Sequence, residues 1–98
     1  MRPDPQAIHD RIASALPGSL IELTDESHLH AGHAGAQGGA GHFRVRVVAS
    51  AFVGLSTVAR HRLVYDSVRD WMPDRIHALA IEARTPDEAA RQPKDSTP

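Results

Sequence analysis

The sequence contains no cysteine, so the chain supplies no thiolate to a metal and forms no disulfide. An iron–sulfur cluster held by four cysteines of one chain is therefore excluded. Aromatic residues make up only 4% of the chain, so the core must consist mainly of aliphatic side chains. No apolar run approaches the roughly 20 residues that span a bilayer, and we expect no membrane contact.

The chain also has no large excess of acidic or basic residues, since its net charge is -1 and its pI is about 6.6. Dedicated nucleic-acid binders are usually basic, so binding of this kind would need a local basic patch. The N-terminus has no apolar region behind its charged residues, and with the absence of cysteine this predicts a cytoplasmic protein. The 98 residues suffice for one core. We predict one domain over residues 1–90 and a disordered tail over residues 91–98.

Apolar spacing predicts the first half of the fold. A helix over residues 4–16 begins with Asp4 as N-cap and Pro5 at the first helical position. Two strands follow, over residues 20–25 and 43–48, and a long loop joins them. Alternation places Phe43 and its odd-numbered neighbours on the core face, and we expect the two strands to pair antiparallel.

The second half of the sequence predicts a helix followed by a third strand that joins the same sheet. Ser56 is an N-cap for a helical run to about Met72, with a break near Arg60 into a short and a longer helix. A third strand covers residues 77–84, and Thr85 begins a short last helix. The order α-β-β-α(-α)-β-α predicts an α+β fold in which helices cover one face of a three-stranded sheet.

The loop between the first two strands is rich in histidine and glycine. His28, His30 and His33 lie within six residues, and His42 follows at the loop's end. Imidazole suits iron, copper, zinc and nickel, and glycine lets a loop bend around an ion. If the loop folds over the third strand, His77 could join it. The alternative is a solvated loop in which the histidines have no ligand role. His42, beside the second strand, is predicted to be a structural residue or a fallback ligand.

Arginines form the second candidate site. Arg60 and Arg62 fall on the predicted second helix, and Arg44 and Arg46 alternate on the second strand. Such charges suit contacts with phosphate, which make binding salt-dependent. The alternative is a solvated face in which nearby aspartates balance the arginines. The Gly-x-x-Gly repeats lie between strands and not between helices, so they do not form the clamp of a KH domain.

An enzyme is not predicted. Two residue pairs could in principle act as catalytic pairs, namely His61 with Asp66 and Ser27 with His28. Neither pair completes a set of nucleophile, base and orienting group. We therefore expect a binding protein.

Several motifs together resemble the BolA family, over about residues 8–88. They are Asp25-Glu-Ser, His42-Phe-Arg-Val, Phe52-x-Gly-x-Ser, Arg60-His-Arg-Leu-Val-Tyr, His77-Ala-Leu-Ala and Thr85-Pro. The resemblance implies a KH-like (class II) αββαβ architecture, in agreement with the order predicted above.

The resemblance also implies two functions. One is partnership with a monothiol glutaredoxin, in which a [2Fe–2S] cluster is shared with that partner and glutathione for cluster trafficking or iron regulation. The implied ligands are His77 and one loop histidine, either His30 or His33. The other function is a DNA-binding transcriptional regulator of the stress or morphology type, acting through the Arg60–Tyr65 helix. A weak homodimer is left open.

Overall fold

The computed structural model describes residues 3–27, 41–72 and 74–91. In these residues the predicted helices and strands are present in the predicted order. They are α1 (Pro5–Ala15), β1 (Leu20–Asp25), β2 (Gly41–Val48), a 3₁₀ turn (Ser50–Phe52), α2 (Thr57–Ser67), a second 3₁₀ turn (Arg69–Trp71), β3 (Ile76–Arg84) and α3 (Pro86–Arg91). Residues 92–98 lie outside the described part, so the predicted disordered tail stays a prediction.

Local capping fixes the ends of α1. The Asp4 side chain accepts a hydrogen bond from the backbone N–H of Gln6 at 3.0 Å, and Pro5 occupies the first helical position. After the helix, Gly18 has φ of +82°, a left-handed conformation that suits glycine. The chain therefore reverses directly into β1, as the sequence predicts.

The three strands form one mixed sheet in the order β1-β2-β3. β1 pairs antiparallel with β2, and β3 pairs parallel with β2 because α2 carries the chain back across the sheet. The prediction that helices cover one face is confirmed, and the fully buried side chains lie between α1, α2 and that face. They are Ile8, Ile12, Val45, Val47, Phe52, Val64, Val68 and Ile76.

The predicted break in the second helix was misplaced. The helix runs through Arg60 without interruption and ends at Ser67, and the C-cap residue Val68 has φ of -126° and ψ of 17°. Just before it, the Ser67 hydroxyl donates to the Val64 carbonyl at 2.6 Å. Such back-bonding competes with the helical ladder, and β-branched Val68 is a poor residue to continue it. Trp71 and Met72, predicted in the helix, therefore lie in and after a 3₁₀ turn and are half-buried.

A reciprocal capping box begins α3. The Thr85 hydroxyl accepts from the Glu88 N–H at 3.1 Å, and the Glu88 carboxylate accepts from the Thr85 N–H at 2.9 Å. Both bonds satisfy N–H groups that a helix start leaves without partners. Among the described helices, none is long and apolar enough to cross a membrane.

Candidate metal centre

His42 and His77 meet at one end of the sheet. His42 lies near the start of β2 and His77 near the start of the adjacent β3. Their ring centroids are 5.1 Å apart, and the ring planes are tilted by 46°. His42 is buried, with 7% of its surface exposed, whereas His77 is exposed. The pair therefore combines one imidazole fixed by the fold with one that a partner can reach.

A β-bulge places His77 beside His42. Gly41 pairs with Ile76, but His42 pairs with Ala78, so His77 is an extra residue in β3. Ile76 and Leu79 are both buried in the core, although they are three positions apart and strict alternation would put them on opposite faces. The extra residue absorbs that mismatch, and bulges commonly redirect a side chain in this way. His77 thereby leaves the core face and is exposed.

Hydrogen bonds hold the ends of β1 and β2 together beside this pair. The His42 N–H donates to the Ser27 hydroxyl at 3.1 Å, and the Glu26 N–H donates to the His42 carbonyl at 2.8 Å. The Ser27 N–H in turn donates to the Asp25 carboxylate at 2.9 Å. The Asp25-Glu-Ser motif thus fixes the point at which the histidine-rich segment leaves β1, next to His42.

The other predicted ligands, His30 and His33, lie in residues 28–40, outside the described part. The structure therefore neither brings them to His77 nor separates them from it, and their ligand role stays a prediction. Among the residues that are described, no three His, Cys, Asp or Glu side chains converge on a common point that could hold a metal ion.

Arg60, predicted to contact nucleic acid, makes contacts inside the domain. Its guanidinium donates to the Leu55 carbonyl at 3.0 Å, to the Ala83 carbonyl at 3.2 Å and to the Glu88 carboxylate at 2.6 Å. Only 13% of its side chain is exposed. The Arg60 guanidinium and the Thr85 N–H lower the pKa of Glu88 to about 2, and Glu88 raises the pKa of Arg60. Arg60 therefore links α2 to β3 and α3. Few of its guanidinium N–H groups remain available to contact a phosphate.

The strand arginines lie on the open face of the sheet, opposite the helices. Arg46 is 15% exposed, with Glu82 at 3.0 Å and Glu22 at 3.9 Å. Arg44 is 62% exposed and pairs with Glu26 at 3.1 Å. Carboxylates thus balance both arginines, but they belong to glutamates of the sheet and not to the aspartates that the solvated-face alternative names.

Arg62 is exposed and, unlike Arg44, Arg46 and Arg60, has no ion pair within the described residues. It borders a shallow pocket of about 320 Å³, which is also lined by Tyr65, Asp66, Arg69 and Met72. Arg69 pairs with Asp66, so Arg62 carries the one unbalanced charge in this lining. Any contact of α2 with phosphate would therefore depend on Arg62.

Comparison with known proteins matches the BolA-like protein family over residues 12–88. The chain belongs to the BolA family. It is 43% identical over 93 residues to BolA-like protein 1 of Bos taurus, covering 94% of this chain and 67% of that one. The solution structure of the BolA1 protein from Mus musculus superposes with a TM-score of 0.76 at 39% identity, covering 100% of this chain and 78% of that one.

A third relative is a longer protein. The chain is 43% identical over 86 residues to SufE-like protein 1, chloroplastic/mitochondrial, of Arabidopsis thaliana. The match covers 83% of this chain and 23% of that protein. The matching region is therefore part of a longer protein in this relative, and the predicted cytoplasmic location of this chain stays a prediction.

Proposed function

We propose that the chain partners a monothiol glutaredoxin and co-ligates a bridging [2Fe–2S] cluster, in cluster trafficking or iron regulation. In this role the protein binds and presents the cluster and catalyses no reaction of its own. The observation that carries the proposal is the pairing of the exposed His77 with the buried His42 at 5.1 Å. When bound, the cluster would supply a redox-active centre that is released or retained according to its ligands.

The spacing of the two rings suits a common metal. A metal–imidazole nitrogen bond is about 2.0–2.1 Å, so rings whose centroids lie 5.1 Å apart could both reach one metal if a nitrogen of each ring turned toward it. His77 is the proposed primary ligand because it is the exposed member of the pair. His42 is its neighbour in the fold and takes the second position if no loop histidine does.

The loop histidines remain competitors for the second position. His30 is three residues beyond Ser27, whose hydroxyl bonds to the His42 backbone. A fully extended chain spans roughly 3.3–3.6 Å per residue. The largest possible distance from Ser27 is therefore about 10 Å for His30 and about 20 Å for His33. Either is within reach of the pair, so mutagenesis must decide between His42, His30 and His33.

Sulfur ligation must come from elsewhere because the chain has no cysteine. Imidazole on one iron and thiolates on the other is an arrangement known from Rieske-type centres, where histidine raises the reduction potential. A glutaredoxin thiol and glutathione would supply the sulfur ligands. This division of ligands supports a heterodimeric cluster over one held by this chain alone.

The proposal is tested by reconstituting the chain with a monothiol glutaredoxin, glutathione, iron and sulfide, and by recording visible absorption and circular dichroism. A spectrum distinct from that of the glutaredoxin homodimer is expected. His77→Ala should abolish the distinct spectrum. His9→Ala, the matched control, changes a histidine of α1 that is not a candidate ligand and should preserve the spectrum. His42→Ala, His30→Ala and His33→Ala then identify the second ligand. Identical spectra for wild type and His77→Ala would reject the assignment of His77.

A further inference from the structure

Two side chains of α2 bind the outer edge of β3. The Tyr65 hydroxyl donates to the Leu79 carbonyl at 2.9 Å, and Arg60 donates to the Ala83 carbonyl at 3.2 Å. Both carbonyls point away from β2, because the carbonyl of Arg84, one residue after Ala83, accepts from the residue that follows β2. Side chains of α2 therefore fix two backbone groups of β3 that the pairing with β2 leaves outside the ladder.

The hydrogen bond of Tyr65 lies next to the bulge at His77, two residues beyond it along β3. Before the bulge, the Arg75 carbonyl accepts from the first residue of β2 at 2.9 Å, and the Arg75 N–H donates to the Trp71 carbonyl at 2.8 Å. Hydrogen bonds thus hold both ends of the span from Arg75 to Leu79. The extra residue of β3 is confined to this span, and His77 stands at its centre.

We propose that Tyr65 is a positioning residue for the cluster ligand His77. By holding the Leu79 carbonyl, its hydroxyl keeps the bulge in place, so that the His77 imidazole is presented beside His42 before any partner binds. Tyr65 acts through His77 and is not itself a ligand. The proposal rests on the proposed function, because Tyr65 has this role only if His77 binds the cluster.

The geometry of a bulge makes such a hydrogen bond important. The extra residue has no ladder bonds of its own, so its direction depends on the bonds at either side. One net hydrogen bond favours the bonded arrangement by a factor of about five. Tyr65 is 36% exposed, so Tyr65→Phe removes the hydroxyl without opening a cavity in the core. That variant should release the Leu79 carbonyl and let His77 adopt more than one direction.

NMR relaxation dispersion on the free, full-length chain tests the effect on the bulge, because it detects exchange between arrangements on the μs–ms timescale. The His77 and Ala78 amides should show no exchange in wild type and should both show it in Tyr65→Phe. Arg60→Gln is the matched control, since it removes the other bond from α2 to the β3 edge together with the Glu88 pair. It should lower Tm more than Tyr65→Phe does and leave both amides without exchange. Exchange at both amides in wild type, its absence in Tyr65→Phe, or equal exchange in Arg60→Gln overturns the proposal.

The electron paramagnetic resonance spectrum of the reduced heterodimer provides a readout that a merely stabilising bond would not change. Tyr65→Phe should broaden or shift the g values, because His77 then meets the iron in more than one orientation, and should weaken cluster sharing by up to about fivefold. Arg60→Gln should give the wild-type spectrum. Wild-type g values in Tyr65→Phe reject the positioning role alone. A wild-type chain that shares no cluster rejects the proposed function, and the positioning role falls with it.

Discussion

Replacing Thr85 tests the capping box that begins α3. Thr85 is buried, with 7% of the residue's surface exposed. Loss of the hydroxyl removes the N-cap bond to the Glu88 N–H, which costs about 1 kcal/mol within a range of about 0.5–2 kcal/mol. Loss of the buried methyl group costs about 0.8 kcal/mol more. Thr85→Ala should therefore lower the free energy of unfolding by about 2 kcal/mol.

Two single-group variants separate these contributions. Thr85→Ser retains the hydroxyl and loses the methyl group, so it should cost about 0.8 kcal/mol. Thr85→Val retains the methyl group and loses the cap, so it should cost about 1 kcal/mol.

Thermal denaturation followed by circular dichroism, with urea denaturation as a second measurement, gives the comparison. For a domain of this size each 1 kcal/mol shifts Tm by about 4–8 °C, so Thr85→Ala should lower Tm by about 8–16 °C. If Thr85→Val is as stable as wild type, or Thr85→Ser as unstable as Thr85→Ala, the capping argument is wrong.

Two further predictions concern charge. The pKa of Glu88 is lowered from 4.5 to about 2, so its stabilising contribution is present above pH 4.5 and is lost as pH falls towards 2. Glu88→Gln should lower Tm at pH 6, and the difference from wild type should shrink as pH falls through this window; a difference independent of pH would contradict the assignment. If the chain binds DNA, Arg62→Ala should reduce the slope of log K against log salt by about 0.9, whereas Arg91→Ala, at an exposed arginine on α3, should not. Absence of wild-type binding at low salt would refute the regulator alternative.

Local signals predicted most of the fold. Asp4 with Pro5, and Thr85 with Glu88, determine helix starts through hydrogen bonds to residues two or three positions away. Phe43 and its alternate neighbours determine a strand face through period-two burial. Such interactions are contained in a short window of sequence, so each can be identified without knowing what packs against it.

Interactions between distant residues were missed. The Arg60–Glu88 pair joins residues 28 apart, and no local pattern distinguishes this arginine from the exposed Arg62. The bulge at His77 depends on the register between β2 and β3. One signal was available: Ile76 and Leu79 are apolar residues three apart within an otherwise alternating strand. That spacing predicts a bulge with one extra residue between them, and hence a His77 side chain that lies off the core face.

The central claim is that an imidazole of this chain binds iron in a shared cluster. Pulsed electron paramagnetic resonance on the reduced heterodimer tests it most directly, with ¹⁵N-labelled histidine in this chain alone. The account predicts strong ¹⁵N hyperfine couplings from two histidines, of which the coupling of His77 disappears in His77→Ala and both persist in His9→Ala. A reduced cluster without ¹⁵N coupling, or with the same couplings in His77→Ala as in wild type, would contradict it.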